Sequence, residues 1–401
     1  MTGRYAPAYA LTVDGEPLPL PLRACVTGVR YADALEGANR VEITLADQRP
    51  GLLDHPLLRV DARLELALGY APDPLEPMFT GEITGVDASF PSGGVPTITV
   101  VAHDFMQRLT IGAKDRAFAL SLPCIGRFPL PDPVIAAAVG ATNLLVPVVD
   151  PVGAALSFLA LLATYAIDPA DAKRSIRIQQ GQSDFELLTG VARDNGWDMY
   201  VDHTAEPRGY VLRFQFPGGH AAPAAVLKWG ESLIDFNPRI TTVGQVASVA
   251  TRIWVSAINA EFVIALAWDY DRGAFDLQVY PGLGDLDAIG AGLGDGGGGR
   301  GTLIVEADGP ATAPRRVLGE LLPRLNNRLT ASGTTVGDPR LRAGRVIAVE
   351  GLGPRFGGLY RLTSVTHTID GSGYRSAFEV RKEVWFTSPV PGLRAQGVRI
   401  F

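Results

Sequence analysis

Val41, Ile43 and Leu45 alternate with Glu42 and Thr44, and a period of two, punctuated by Gly and Pro, runs through most of the first hundred residues. The stretches AYALTVDGEP, RACVTGVRYADALEG, NRVEITLAD, RLELALGYAPDP, FTGEITGVDASFPSGG and PTITVVAHD each carry strand patterning bounded by turn signals. Six short strands at this spacing predict a small β-barrel or sandwich. A comparable pattern returns over 327–386. LRVDARLELALGY at 58–70 sits beside LRAGRVIAVEGLG at 341–353, and FTGEITGVDASFPSGGVPTITV at 79–100 beside FGGLYRLTSVTHTIDGSGYRSAFEV at 356–380. Both members of the second pair begin Phe-x-Gly, run through a strand, turn and return. The pattern predicts a duplicated barrel, one copy at each end of the chain.

Between the copies the period changes. Ser183 followed by Glu186 is a capping-box spacing that predicts a helix from Asp184, with Phe185, Leu187, Leu188, Val191 and Ala192 on its apolar face and Gly196 as its stop. Trp197, Met199 and Val201 then alternate with polar neighbours as a half-buried strand does. YVLRFQF (210–216) and AVLKWGESLIDFNPRI (225–240) predict strands, and VASVATRIWVSA (246–257) the first strand of the second barrel. The segment 133–167 carries one charge, Asp150, but its two apolar halves are at or below the ~17 residues that cross a bilayer, and Pro147, Pro151 and Gly153 interrupt it. It predicts a buried helix or helical hairpin between domains. The Gly-rich stretch 281–302 predicts a loop, and 314–329 a helix that Pro323 should kink or end. The resulting division is a first barrel at 1–110, a helical/αβ middle region at 111–240, a second barrel at 241–386, and an extended tail at 387–401.

Composition narrows the function. The chain has 401 residues, 47% of them hydrophobic and 19% charged, with a formal net charge of -6. That balance supports packed cores and offers no basic footprint for nucleic acid. Cys25 and Cys124 form neither a disulfide framework nor a zinc motif. MTGRYAPAYALTVDG lacks an apolar stretch before a small-residue cleavage site, so synthesis in the bacterial cytoplasm is expected. His55, His103, His203, His220 and His367 show no metal-ligand spacing. GQSDF lacks the final Gly of a nucleophile elbow, and GLGDGG at 292–297 lies inside a glycine tract rather than between a strand and a helix. Asp285, Asp287 and Asp295 in that tract have the chemistry for weak calcium binding, but solvated loop charge is the expectation. No catalytic, cofactor or metal constellation is present in the sequence, and no enzyme activity is expected.

One family resemblance is carried by SDFELLTGVARDNGWDMYV and, in order, by LKWGESLIDFNPRI, VGDPRLRAGRVIAVEGLGPRFGGLYRLTSVTHTID and GYRSAFEVRK. Together these resemble the phage late control D family, the hub proteins of contractile tails and their VgrG relatives. The matching positions are Ser183, Asp184, Phe185, Leu188, Gly196, Trp197, Trp229, Gly230, Gly351, Gly353, Phe356, Gly358, Tyr360, His367, Gly373 and Tyr374. The resemblance implies an α+β, mainly β subunit with two tube-like barrels, assembled as a homotrimeric pseudo-sixfold ring that joins a hexameric inner tube to a trimeric spike. It implies a tail or injection particle as location, and the inner tube, a separate spike protein, baseplate wedge proteins or cargo as partners, with no cofactor and no membrane. The competing readings are a tail-tip hydrolase of glycan or peptidoglycan, which needs paired carboxylates or a metal in a cleft, and a receptor-binding tip protein of a non-contractile tail. Trp197, Trp229 and Trp254 are expected in cores.

Overall fold

The computed structural model describes residues 6–47, 51–122, 126–167, 173, 175–217, 222–241, 248–255, 258–269, 274–282, 302–306 and 312–384. The 387–401 tail, most of the Gly-rich stretch, Cys124, His220, Asp285, Asp287 and Asp295 lie outside the described residues. The chain is mainly β, with 52% strand against 21% helix.

Thirteen strands form one continuous sheet, and its path divides into two halves. The N-terminal half runs Val26–Ala34, Arg40–Ala46, Thr97–Asp104, Glu76–Ser89, Arg63–Ala71, Ala6–Val13, with Glu16–Pro17 beyond it. The C-terminal half runs Leu233–Ile240, Leu329–Val336, Gly373–Arg381, Gly358–Asp370, Val346–Glu350, Pro223–Lys228. Position for position the paths are the same. Each is a hairpin followed by a three-strand meander that folds back to place its last strand beside the hairpin. Alternating residues fill two interiors, one around Tyr31, Leu66 and Phe79 and one around Ile347, Tyr360 and Leu362.

The correspondence extends to register. A bulge at Thr27 separates the pairs Val26–Leu45 and Gly28–Thr44; a bulge at Ile234 separates Leu233–Thr335 and Asp235–Thr334 in the same place. A second bulge at Thr84 lies between Ile83–Ala102 and Gly85–Val101, and its counterpart at Thr363 between Leu362–Val380 and Ser364–Glu379. Ile83 N–H donates to Ala62 C=O (2.9 Å) as Leu362 N–H does to Arg345 C=O (2.9 Å). The residue before each acceptor, Asp61 or Gly344, has a left-handed backbone, with φ of 67° and 81°. The halves differ in other respects: Ala6–Val13 is antiparallel to its neighbour and Pro223–Lys228 parallel, Glu16–Pro17 has no counterpart, and the register shifts at Leu66–Ala67 and at Pro223–Ala225 each occur in one half alone. The register equates Ile83 with Leu362, and therefore Phe79 with Gly358, two residues away from the Phe-x-Gly match that the sequence invites.

Two tube-like barrels are expected from the sequence; among the described residues no sheet closes into a barrel. The Gly358–Asp370 strand is the cause. Its first residues pair with Val346–Glu350, and the remainder extends past that short neighbour to pair with Val26–Ala34 of the other half, from Ser364 opposite Ala34 to Ile369 opposite Val29. The halves are thus welded edge to edge.

Two sections of chain interrupt this plan. Within the C-terminal hairpin, where the N-terminal half has only a short loop, stands a four-stranded sheet ordered Ala274–Pro281, Ala260–Asp269, Ser248–Val255, Thr302–Ile304. The helix Ala313–Asn326 packs Val317, Leu321 and Leu325 on it, against Val249 and Leu266. Ser248–Val255, expected to open the second barrel, belongs to this inserted layer, and Pro323 sits in the helix's final turn. Between the halves lies the middle region. Helix Asp132–Thr142, strand Val146–Val149 and helix Pro151–Ile167 replace the expected helical hairpin, because the strand pairs in parallel with Val211–Gln215, itself antiparallel to Asp198–Asp202. No described helix is long and apolar enough to cross a membrane. Pro223–Lys228 and Leu233–Ile240, expected within the 111–240 middle region, instead pair into the C-terminal half of the large sheet.

Candidate assembly surface

The weld between the halves is built from polar side chains that sequence periodicity does not single out. His367 lies opposite Tyr31 in the joint, with the rings stacked at 5.9 Å. Leu341 C=O can only accept, so His367 Nε2 carries the proton and donates to it at 3.0 Å; Nδ1 accepts from the hydroxyls of Tyr374 and Ser376, each at 2.9 Å. Burial, reinforced by the nearby Arg342 charge, pushes its pKa down to about 3, and the ring is neutral. Arg342 reaches from the C-terminal half to the carbonyls of Met78 (2.6 Å) and Pro77 in the N-terminal half. Asp33 answers by accepting from Ala343 N–H (3.1 Å); burial holds its carboxyl above the usual range despite Arg342 and His203. His203 ties in the middle region. Thr80 N–H donates to its Nδ1 (3.2 Å), and its Nε2 lies 3.3 Å from the Asn39 amide nitrogen and 3.7 Å from the Asp104 carboxylate.

Apart from the Tyr31 hydroxyl, which is buried without a hydrogen-bond partner, these groups bond one another and are shut from solvent, an arrangement that positions strands. Among the described residues no group of three His, Cys, Asp or Glu side chains is arranged to hold a metal. A cleft of ≈ 400 Å³ opens between the middle sheet and the C-terminal half; in its lining Arg213 pairs with Asp202 at 2.6 Å, Tyr200 donates to Gln215 at 2.6 Å, and burial beside Arg342 lowers the pKa of Arg345.

The family-motif residues fall into three places. Ser183 caps the helix Asp184–Asn195 and completes the capping box, Glu186 N–H donating to Ser183 Oγ (3.2 Å) and Ser183 N–H to Glu186 Oε2 (2.7 Å). Asp184 is buried; burial opposes its charge, but donors from Lys114, Asn143, Gln179 and Arg116 outweigh it and hold its carboxyl below the usual range. Phe185, Leu188 and Trp197 join the middle core. Gly196 ends the helix at φ 66°, with Leu322 of the inserted helix so close that a Cβ would lie 2.8 Å from it. The second group, Trp229, Gly230, Gly351, Gly353, Phe356, Gly358 and Tyr360, gathers at one rim of the C-terminal half, where Trp229 N–H donates to Glu350 C=O (3.1 Å) and Tyr360 hydroxyl to Phe356 C=O (2.6 Å). His367 and Tyr374 lie in the weld, and Gly373 turns the hairpin beside it.

Two tryptophans depart from expectation: Trp197 is buried, whereas Trp229 and Trp254 are half exposed. Ile234 and Ile240 on the large sheet, Phe90 just past the end of Glu76–Ser89 and Leu20 on the short helix Leu20–Arg23 also present apolar surface, and Phe158 and Leu159 do so on the middle helix, which is therefore not wholly buried between domains. The residues that sequence reasoning missed are Arg342, Arg361, Glu383, Asp33 and His203, all buried. Their signal is slight: Arg361 stands between the apolar Tyr360 and Leu362, a charge inside a strand covered on both faces.

No family model and no curated protein matches the chain. Solved structures do. The 43 kDa tail protein of prophage MuSo2 from Shewanella oneidensis superposes with a TM-score of 0.61 at 14% identity, over 94% of this chain and 98% of that one. The fold is shared with phage tail proteins. The tail protein from Neisseria meningitidis MC58 gives 0.59 at 12% identity over 96% and 98% of the two chains. The E. coli c3393 protein, a type VI secretion component described as structurally similar to the T4 tail proteins gp27 and gp5, gives 0.53 at 13% identity over 95% and 79%.

Proposed function

We propose that this chain is the structural hub of a phage tail or phage-like contractile injection baseplate, a homotrimer that adapts a hexameric inner tube to a trimeric spike. The observation that carries the reading is the internal match of the two halves in strand order, register and bulge position. Three chains of two like halves present six like surfaces to a sixfold tube, while remaining threefold for the spike. The late control D resemblance of the Ser183–Val201 segment and the shared tail-protein fold support it. The work of such a hub is geometric: force passes through contacts, with no cofactor and no active site.

Light scattering over a range of concentrations, alone and with candidate tube and spike proteins, tests this. The expected species is about 128 kDa, three times the 42.6 kDa chain, and it binds tube protein. A persistent monomer that ignores both partners would overturn the ring, and release of reducing sugar from peptidoglycan would favour the hydrolase reading.

A further inference from the structure

The weld between the halves has a second, unused version. Its two members are Val26–Ala34 and the far part of Gly358–Asp370. Their register counterparts are Leu233–Ile240 with Thr241, and the far part of Glu76–Ser89 with Phe90. Leu233–Ile240 ends the sheet path and, apart from a single bridge between Leu233 and Trp229, pairs among the described residues only with Leu329–Val336. Glu76–Ser89 pairs with Arg63–Ala71 only as far as Glu82 and extends beyond it. Among the described residues each therefore keeps one open main-chain edge, and within one chain the two strands are not paired with each other.

We propose that Phe236–Thr241 of one protomer pairs antiparallel with Gly85–Phe90 of the next, repeating the internal weld between chains. The proposal rests on the hub-ring reading and names the contact that builds the ring. Transferring the register of the internal weld, Ser364 opposite Ala34 and His367 opposite Tyr31, sets Gly85 opposite Thr241 and Ala88 opposite Pro238. The residues that then share a face make chemical sense. On the face that holds His367 and Tyr31 inside the chain, Val86 meets Ile240, Ala88 meets Pro238 and Phe90 meets Phe236, all apolar. On the other face Asp87 meets Arg239, and Ser89 meets Asn237. Phe90 is 63% and Ile240 37% exposed in the single chain, and neither Asp87 nor Arg239 forms an ion pair among the described residues. A shift by one residue would set apolar against polar side chains along the whole joint.

Pro238 fits this edge. Leu35 N–H donates into the internal weld at Thr363 C=O, and main-chain groups alternate along a strand, so the nitrogen at the Tyr31 position faces the weld. At the corresponding Pro238 the missing N–H therefore faces the open edge, and pairing with Leu329–Val336 is intact. The intermolecular joint has one donor fewer than the internal one, which makes it the weaker of the two and the one that opens when protomers separate.

Ser89 and Asn237 stand opposite each other at a pair without mutual main-chain bonds, where Cβ atoms come within about 4.5–5.5 Å. In the full chain carrying both Ser89→Cys and Asn237→Cys, mild oxidation should give covalent oligomers that end at the closed ring, with neither single variant doing so. Asp87→Arg or Arg239→Asp alone should raise the concentration of half-dissociation roughly fivefold, and the two together should restore it. If the unmodified protein is oligomeric but the cysteine pair gives no more cross-link than the single variants, this joint is wrong while the hub reading stands. If the protein is monomeric alone and with tube protein, both fall.

Discussion

Glu82 and Arg361 occupy the same register position in the two halves of the large sheet, opposite Arg63 in one and Val346 in the other. Glu82 pairs with Arg108 at the surface, each side chain about a third exposed. Arg361 is sealed: it makes a two-pronged pair with Glu383 at 2.6 and 3.0 Å and donates to the carbonyls of Gly344 (2.7 Å) and Pro217. Arg381 extends that network to Glu383 (3.1 Å) and to Asp198 of the middle region (2.7 Å). The strand path is therefore indifferent to what covers it. The N-terminal half leaves this position to water, whereas the C-terminal half is roofed by the middle region and must satisfy its charges internally.

Breaking the buried side of that comparison should have the largest effect. Glu383→Gln strands the Arg361 charge and is expected to cost about 3–5 kcal/mol in urea unfolding, whereas Glu82→Gln should cost less than about 1 kcal/mol. Equal losses would mean that the two sites are equally wet.

Next is acid sensitivity, which the C-terminal half has at His367 and the N-terminal half lacks at Ala88, its register counterpart. His367 has a folded pKa of about 3 against an ordinary 6.5, so the folded state binds fewer protons than the unfolded one. Its contribution is complete above pH 6.5 and declines by about 1.4 kcal/mol per unit as pH falls toward 3. At pH 5 the loss should be about 2 kcal/mol. His367→Gln should flatten that part of the pH profile; an unchanged slope would assign it to other groups.

Ser183→Ala, outside both halves, removes the helix cap and sets a baseline of about 1 kcal/mol in the same unfolding assay. Smallest of all, Trp229→Ala on the exposed rim should shift stability within about 0.5 kcal/mol. A measurable loss of oligomer or tube binding at unchanged melting temperature would make that rim a contact surface.

Much of this architecture was legible in the sequence. The two Leu-Arg-led segments are equivalent strands, and the capping box, the Gly196 stop and the alternation after Trp197 describe local structure that the chain adopts. These features depend on neighbours within a few residues. The weld depends on residues more than three hundred positions apart, and nothing in the period of Val26–Ala34 distinguishes an edge paired with its own chain from one left open. The two-residue offset between the Phe79–Phe356 match and the observed register arises because a shared Phe-x-Gly is a local similarity, whereas register is set by cross-strand pairing. The inserted layer was misassigned because Ser248–Val255 has the same alternation as a strand of the large sheet. Buried charges such as Arg361 stayed hidden because their partners, Glu383 and the Gly344 and Pro217 carbonyls, come from separate segments.

The paired bulges also bear on mechanics. Two flat strands under shear can slide by two residues and arrive in a state where every side chain still faces its original side, so alternation alone gives little resistance to creep. At Thr84 and Thr363 an extra residue interrupts the ladder, and a strand displaced by two positions would bring that residue against a partner with no space for it. Each half of the sheet thus contains a detent, which turns a sliding contact into one that either holds its position or breaks.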